Sequence, residues 1–287
     1  MRTPLILTAA LAGGLALGGC ADSGSEVDQA MQDIDALQLN GEDNLGELML
    51  TVGDPGEAVN YFTRAARENP DRIDLQRGLA TSLIRAGRPV EGAAAWTTVV
   101  AHPQATDADR VEHAGALIRN NRWDEARAAL DAIPPTVETF DRYRYEAMVA
   151  DAREDWDRAD SFYETALGLT TTPASVMNNW GYSNLTRGDF PEAERLFGEA
   201  LRHDPQMFTA KNNLVLSRGA QGNYDLPVIP MTQTERAQLL HTMALTAIRR
   251  NDVNIGRALL QEAVDTHPQH FEAAARALAA LENNVAN

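Results

Sequence analysis

The chain has one cysteine, one lysine and few aromatic residues, 6% in all. A lone thiol, Cys20, allows no disulfide within the chain, and zinc sites built on several thiolates are excluded with it. Lys211 is the only lysine; every other cationic side chain is Arg, apart from the histidines. Positive charge is scarce altogether. Lys and Arg total 25 against 41 Asp and Glu, a formal net charge of −16. Nucleic-acid phosphates and anionic lipid surfaces repel such a chain, so no nucleic-acid partner is expected. The motifs GxSxG, HExxH, GxxxxGK[ST] and GxGxxG do not occur. His267 and His270 form an HxxH pair around Pro268, but it straddles the end of one helix and the start of the next, and a polar turn is the reading adopted. No catalytic constellation emerges, and neither an enzyme nor a metal site is expected.

The first residues, MRTPLILTAALAGGLALGGC, carry Arg2, then an apolar run from Leu5 to Leu17 that is too short to span a bilayer. Leu17-Gly18-Gly19-Cys20 resembles the lipobox of bacterial lipoproteins. The resemblance implies removal of residues 1–19, a diacylglyceryl thioether on Cys20 and an acyl group on its new amine; no other cofactor is expected. Several acyl chains anchor a protein firmly to a membrane. Ala21 rather than Asp follows the cysteine, which favours the outer membrane. Residues 20–38 read as an acidic tether, becoming helical towards its end, where Val27, Met31, Ile34 and Leu37 recur near the helical period.

Beyond the tether the chain is periodic. A short turn and a small residue recur at Ala58, Gly92, Ala126, Ala159 and Ala193, spaced 33 or 34 residues apart, and again at Gly256. Four residues on stands a bulky side chain: Phe62, Trp96, Leu130, Tyr163, Phe197 and Leu260. Upstream lies a second set of mostly small residues, Gly46, Ala80, Ala114, Ala147, Gly181, Val215 and Ala244. Small residues let paired helices approach, and the bulky ones fill the groove between neighbouring pairs. This pattern resembles the tetratricopeptide repeat. It predicts an all-α superhelical solenoid of antiparallel helix pairs over 39–270, about seven units, with a capping helix and tail over 271–287 that covers the last apolar face. The sixth unit, 208–236, is irregular. Pro227 and Pro230 break its second helix, so residues 225–233 are expected as an extended loop, with Thr232 or Thr234 capping the next helix.

In this repeat family the first helices line a concave groove. Its fifth positions fall on Arg144, Asn178, Asn212 and His241, and its ninth on Met148, Tyr182, Leu216 and Leu245. A polar row beside an apolar one suits an extended peptide or a helix from a partner protein. Asn179 and Asn213, at the sixth position, are assigned to packing.

Residues 208–274, with MNNWGYSNLTRGDFPEAERLFGEAL upstream, resemble the tetratricopeptide lipoprotein of the tight-adherence (Tad, Flp pilus) assembly system of alphaproteobacteria; residues 40–170 match only as repeats. The resemblance implies an outer-membrane lipoprotein on the periplasmic face that assists the pilus secretin, meets the membrane through its anchor alone and works by protein–protein binding. It brings no catalytic residue and no mapped binding site. A periplasmic adaptor presenting substrates to a protease or cell-wall enzyme is the alternative.

Overall fold

The computed structural model describes residues 42–285. The signal segment, Cys20 and the acidic tether lie outside the described residues. Fourteen helices and no strand are found among those described. They come as antiparallel pairs: α1 (Glu42–Thr51) with α2 (Pro55–Glu68), α3 (Ile73–Arg85) with α4 (Pro89–Ala101), α5 (Asp107–Ile118) with α6 (Trp123–Asp131), α7 (Phe140–Ala152) with α8 (Trp156–Gly168), and α9 (Ala174–Arg187) with α10 (Phe190–His203). Then α11 (Phe208–Ala220) stands without a second helix. Last come α12 (Gln233–Arg249) with α13 (Val253–Thr266), and α14 (Glu272–Val285). The fold is the all-α tetratricopeptide solenoid that the periodicity predicts.

One turn geometry repeats down the chain. Each first helix from α3 onwards ends where a residue takes a left-handed conformation: Gly87, Asn121, Glu154, Gly188, Gly222 and Asn251, with φ from 56° to 89°. The next amide reaches back five residues to a helix carbonyl. Arg88 donates to Leu83, Arg122 to Leu117, Asp155 to Ala150, Asp189 to Asn184, Asn223 to Arg218 and Asp252 to Ala247, all at 2.9–3.0 Å. This arrangement satisfies carbonyls that the helix end leaves open and reverses the chain. The side chain that starts the second helix is then set against its partner.

Packing follows the small and bulky positions read from the sequence. Ala58, Ala126, Ala159 and Ala193 are fully enclosed, as are Ala80, Ala114, Ala147 and Ala244 in the first helices. Phe62, Trp96, Leu130, Tyr163, Phe197 and Leu260 are buried between pairs. Where glycine replaces alanine the contact is tighter still. A Cβ added at Gly181 would lie 2.7 Å from Phe197 Cε1, and one at Gly92 would lie 2.5 Å from Ile84 Cδ1. Each pair therefore presents a surface that only its neighbour covers.

The irregular unit is held by other means. Pro227 and Pro230 supply no amide to a second helix. The segment instead lays Leu226 on the terminal clusters, Ile229 beside Leu201 and Leu214, and Met231 near Met243. Val228 points out, fully exposed, and Asp225 and Pro230 are exposed as well. Thr232 then caps α12 in a reciprocal box with Glu235. Lys211, enclosed in α11, donates to the same Glu235 carboxylate at 2.9 Å. The segment is thus largely a packed plug that spans the gap left by the missing helix.

Candidate partner-binding groove

First helices of successive pairs touch in turn, α7 with α9 and α9 with α11. Together with the start of α8 they enclose a pocket of about 550 Å3. From α7 come Met148 and Asp151; from α9 come Asn178, Asn179, Tyr182, Ser183 and Thr186; from α11 come Thr209 and Asn213. Glu154, in the α7–α8 turn, and Trp156, at the head of α8, form one wall with Trp123 of α6. Among the described residues no histidine, cysteine, lysine or arginine lines it.

The floor is a buried polar knot. Asp151 accepts the Tyr163 hydroxyl on one carboxylate oxygen and the Ser183 hydroxyl on the other, each at 2.6 Å. Burial pushes the Asp151 carboxyl above the usual carboxylate range, against the pull of these two hydrogen bonds. The Tyr163 phenol is pushed well above its ordinary value by burial and by the charge of Asp151. Beside the knot, Asn213 donates to Asn178 at 3.1 Å across neighbouring helices. Asn179 lies against the Met148 sulfur.

Of the eight residues placed in the groove by repeat position, the pocket gathers Met148, Asn178 and Tyr182. Tyr182 is half exposed at its mouth. The other five lie elsewhere. Arg144 is drawn to Asp141 at 2.7 Å and lies over the Tyr145 ring, 4.6 Å from its centroid. Asn212 accepts the Thr242 hydroxyl at 2.9 Å and so joins α11 to α12. His241 packs its ring on Phe271, the residue before α14, and burial lowers its pKa. Leu216 and Leu245 are half-buried outside the pocket. Asn179 and Asn213, both assigned to packing, also line the cavity. Asp151, Ser183, Trp123, Trp156 and Glu154 were not singled out from the sequence. Glu154 alone carried a signal, because it occupies the turn position that holds Gly or Asn in the other pairs.

Among the described residues no group of three His, Cys, Asp or Glu side chains converges as a metal site. His267 turns to the Gln269 carbonyl and His270 to Glu272. No helix among them is long and apolar enough to cross a membrane.

A tetratricopeptide-repeat model matches residues 44–108 and 178–226, and a second model of the same repeat matches 147–177. This chain is a tetratricopeptide-repeat protein. Its fold is similar to a chain of the APC/C hetero-tetramer Cut9–Hcn1, with TM-score 0.60 and 12% identity over 82% of this chain. It spans 48% of that chain's length. A tetratricopeptide-repeat protein from Parabacteroides merdae aligns with TM-score 0.57 and 12% identity, covering 83% of this chain and 96% of its own. A thermophilic repeat protein from Thermus thermophilus gives TM-score 0.51 and 19% identity over 60% of this chain and 95% of its own. At these identities the likeness is one of fold alone. No curated protein sequence matches the chain.

Proposed function

We propose that this protein is a lipid-anchored scaffold on the periplasmic face of the outer membrane. It binds other envelope proteins during assembly of the Flp/Tad pilus secretion apparatus, chiefly the secretin, and catalyses no reaction. The observation that carries the binding role is the pocket shared by four successive repeats, with Tyr182 at its mouth and two carboxylates on its lining. It offers shape and hydrogen bonds across several first helices, which suits a polypeptide guest. The lipobox-like segment ending in Cys20 supports the anchor. The resemblance of residues 208–274 to the tight-adherence lipoprotein supports the pilus role.

The test is a photocrosslinking side chain at Tyr182 in living cells. Capture of a secretin or another assembly component is expected, and deletion of the gene should remove surface pili and reduce secretin multimers. Normal pili with altered peptidoglycan or proteolysis would sink the pilus reading in favour of the adaptor alternative.

A further inference from the structure

We propose that the α7–α9–α11 pocket is a receptor for a cationic side chain, arginine or lysine, carried by the partner polypeptide. The inference rests on the binding role above and adds its chemistry. Four aromatic side chains, Trp123, Trp156, Tyr163 and Tyr182, line the cavity together with Met148. Such faces hold the aliphatic stem of a long basic side chain and attract its charge through the ring quadrupole.

Two carboxylates share that cavity, and neither forms an ion pair among the described residues. Among the described residues the Asp151 carboxylate is bonded only to the hydroxyls of Tyr163 and Ser183. The Glu154 carboxylate makes no hydrogen bond or ion pair among the described residues. The neighbouring guanidinium groups are engaged elsewhere. Arg187, whose charge reaches Asp151, is gripped by both oxygens of Asp160 at 2.9 and 3.0 Å. Arg153, next to Glu154, reaches Asp124 at 3.1 Å. With no basic residue among the described residues of the lining, the site is a negative, aromatic-walled hole in a chain of net charge −16. An acidic guest is repelled there, whereas a guanidinium or ammonium is drawn in and desolvated between rings and carboxylates.

The backbone of Glu154 points the same way. It holds φ of 59° at a position filled by Gly or Asn in the other pairs. A long side chain is disfavoured there, and such backbone outliers gather where a side chain has a task. The strained residue is also one of the two carboxylates in the pocket.

Random dodecapeptides displayed on phage, selected on the full-length protein, test this. The peptides recovered should share one Arg or Lys flanked by apolar residues. Replacing that Arg with citrulline, or Glu154 with Gln, should each weaken binding about tenfold. Glu154 is exposed, so Glu154→Gln leaves the core untouched; Asp151→Asn and Trp156→Ala provide the same readout from inside the cavity. Selected peptides without a basic residue, equal binding of the citrulline form, or unchanged affinity in Glu154→Gln would each overturn the inference. They would leave the scaffold role standing, since that stands or falls on capture from Tyr182 in cells.

Discussion

Glu154 and Asp109 show how single side chains carry opposite burdens. In Glu154 the backbone is strained, and Glu154→Gly should relieve it. A net gain of about 0.5–1 kcal/mol is expected, the larger relief being offset by the looser unfolded chain. Chemical denaturation would measure it, and a less stable variant would count against the reading. The same substitution should weaken peptide binding, so stability and recognition would move in opposite directions. Asp109 is nearly enclosed and bound at both oxygens by Arg77 of the preceding pair, at 2.6 and 2.7 Å. Burial raises its pKa, but Arg77 and the Thr106 amide and hydroxyl lower it further, so the net shift is downward. Stability from this group is therefore present above about pH 4, the unfolded value, and fades as pH falls through the lower folded value. Arg77→Met should cost about 2 kcal/mol at neutral pH, moderated because Arg77 is a third exposed. Near pH 3 the deficit should shrink as Asp109 takes up a proton. Urea titrations at the two pH values decide it; an equal deficit at both would refute the assignment.

For the helices, contact geometry dominates. Ala193 is fully enclosed, in a cluster against which Met177 and Leu185 of α9 pack. Ala193→Leu should overfill that contact and lower stability by roughly 1–3 kcal/mol. An unchanged melting temperature would show that the helices can part there. The junction of α11 and α12 makes an asymmetric prediction. Glu235→Gln should be strongly destabilising, by about 3 kcal/mol, because it leaves the enclosed Lys211 ammonium without its anion. Lys211→Met should be nearly neutral, since Glu235 keeps the Thr232 cap and some solvent. Thermal melts of the two variants that showed equal losses would contradict this. The left-handed turns were not read from the sequence, although Gly87, Gly188 and Gly222 sit where the motif requires them. Asn121 and Asn251 do the same work, and mixed residue types hid the pattern.

The whole molecule joins a proposed anchor to a stacked body. Cys20→Ser should stay uncleaved by the lipoprotein peptidase and leave the outer-membrane fraction. Cell fractionation showing normal placement would mean that no lipid on Cys20 holds the protein there. Within the body, the repeats were legible because close helix pairing admits only small residues at fixed places, and that restriction survives in a single sequence. The irregular unit was legible from Pro227 and Pro230, which cannot donate to a helix. The packing of Leu226, Ile229 and Met231 was not, because a loop's side chains have no period.

Periodicity alone was enough for the solenoid, the helix pairing and the interior. Each is set by local spacing, and a 34-residue recurrence leaves little freedom in how pairs stack. The pocket was decided by the tertiary structure. Trp123, Asp151, Glu154, Trp156 and Ser183 come from different helices and turns, and only the stacking of three pairs puts them round one cavity. Of the residues that repeat position assigns to the groove, Met148, Asn178 and Tyr182 lie on its lining. Repeat position missed the diversion of Arg144 to Asp141, of Asn212 to Thr242 and of His241 to Phe271. Those side chains follow the nearest charge, hydroxyl or ring, and neighbours in space are not recorded in spacing along the chain.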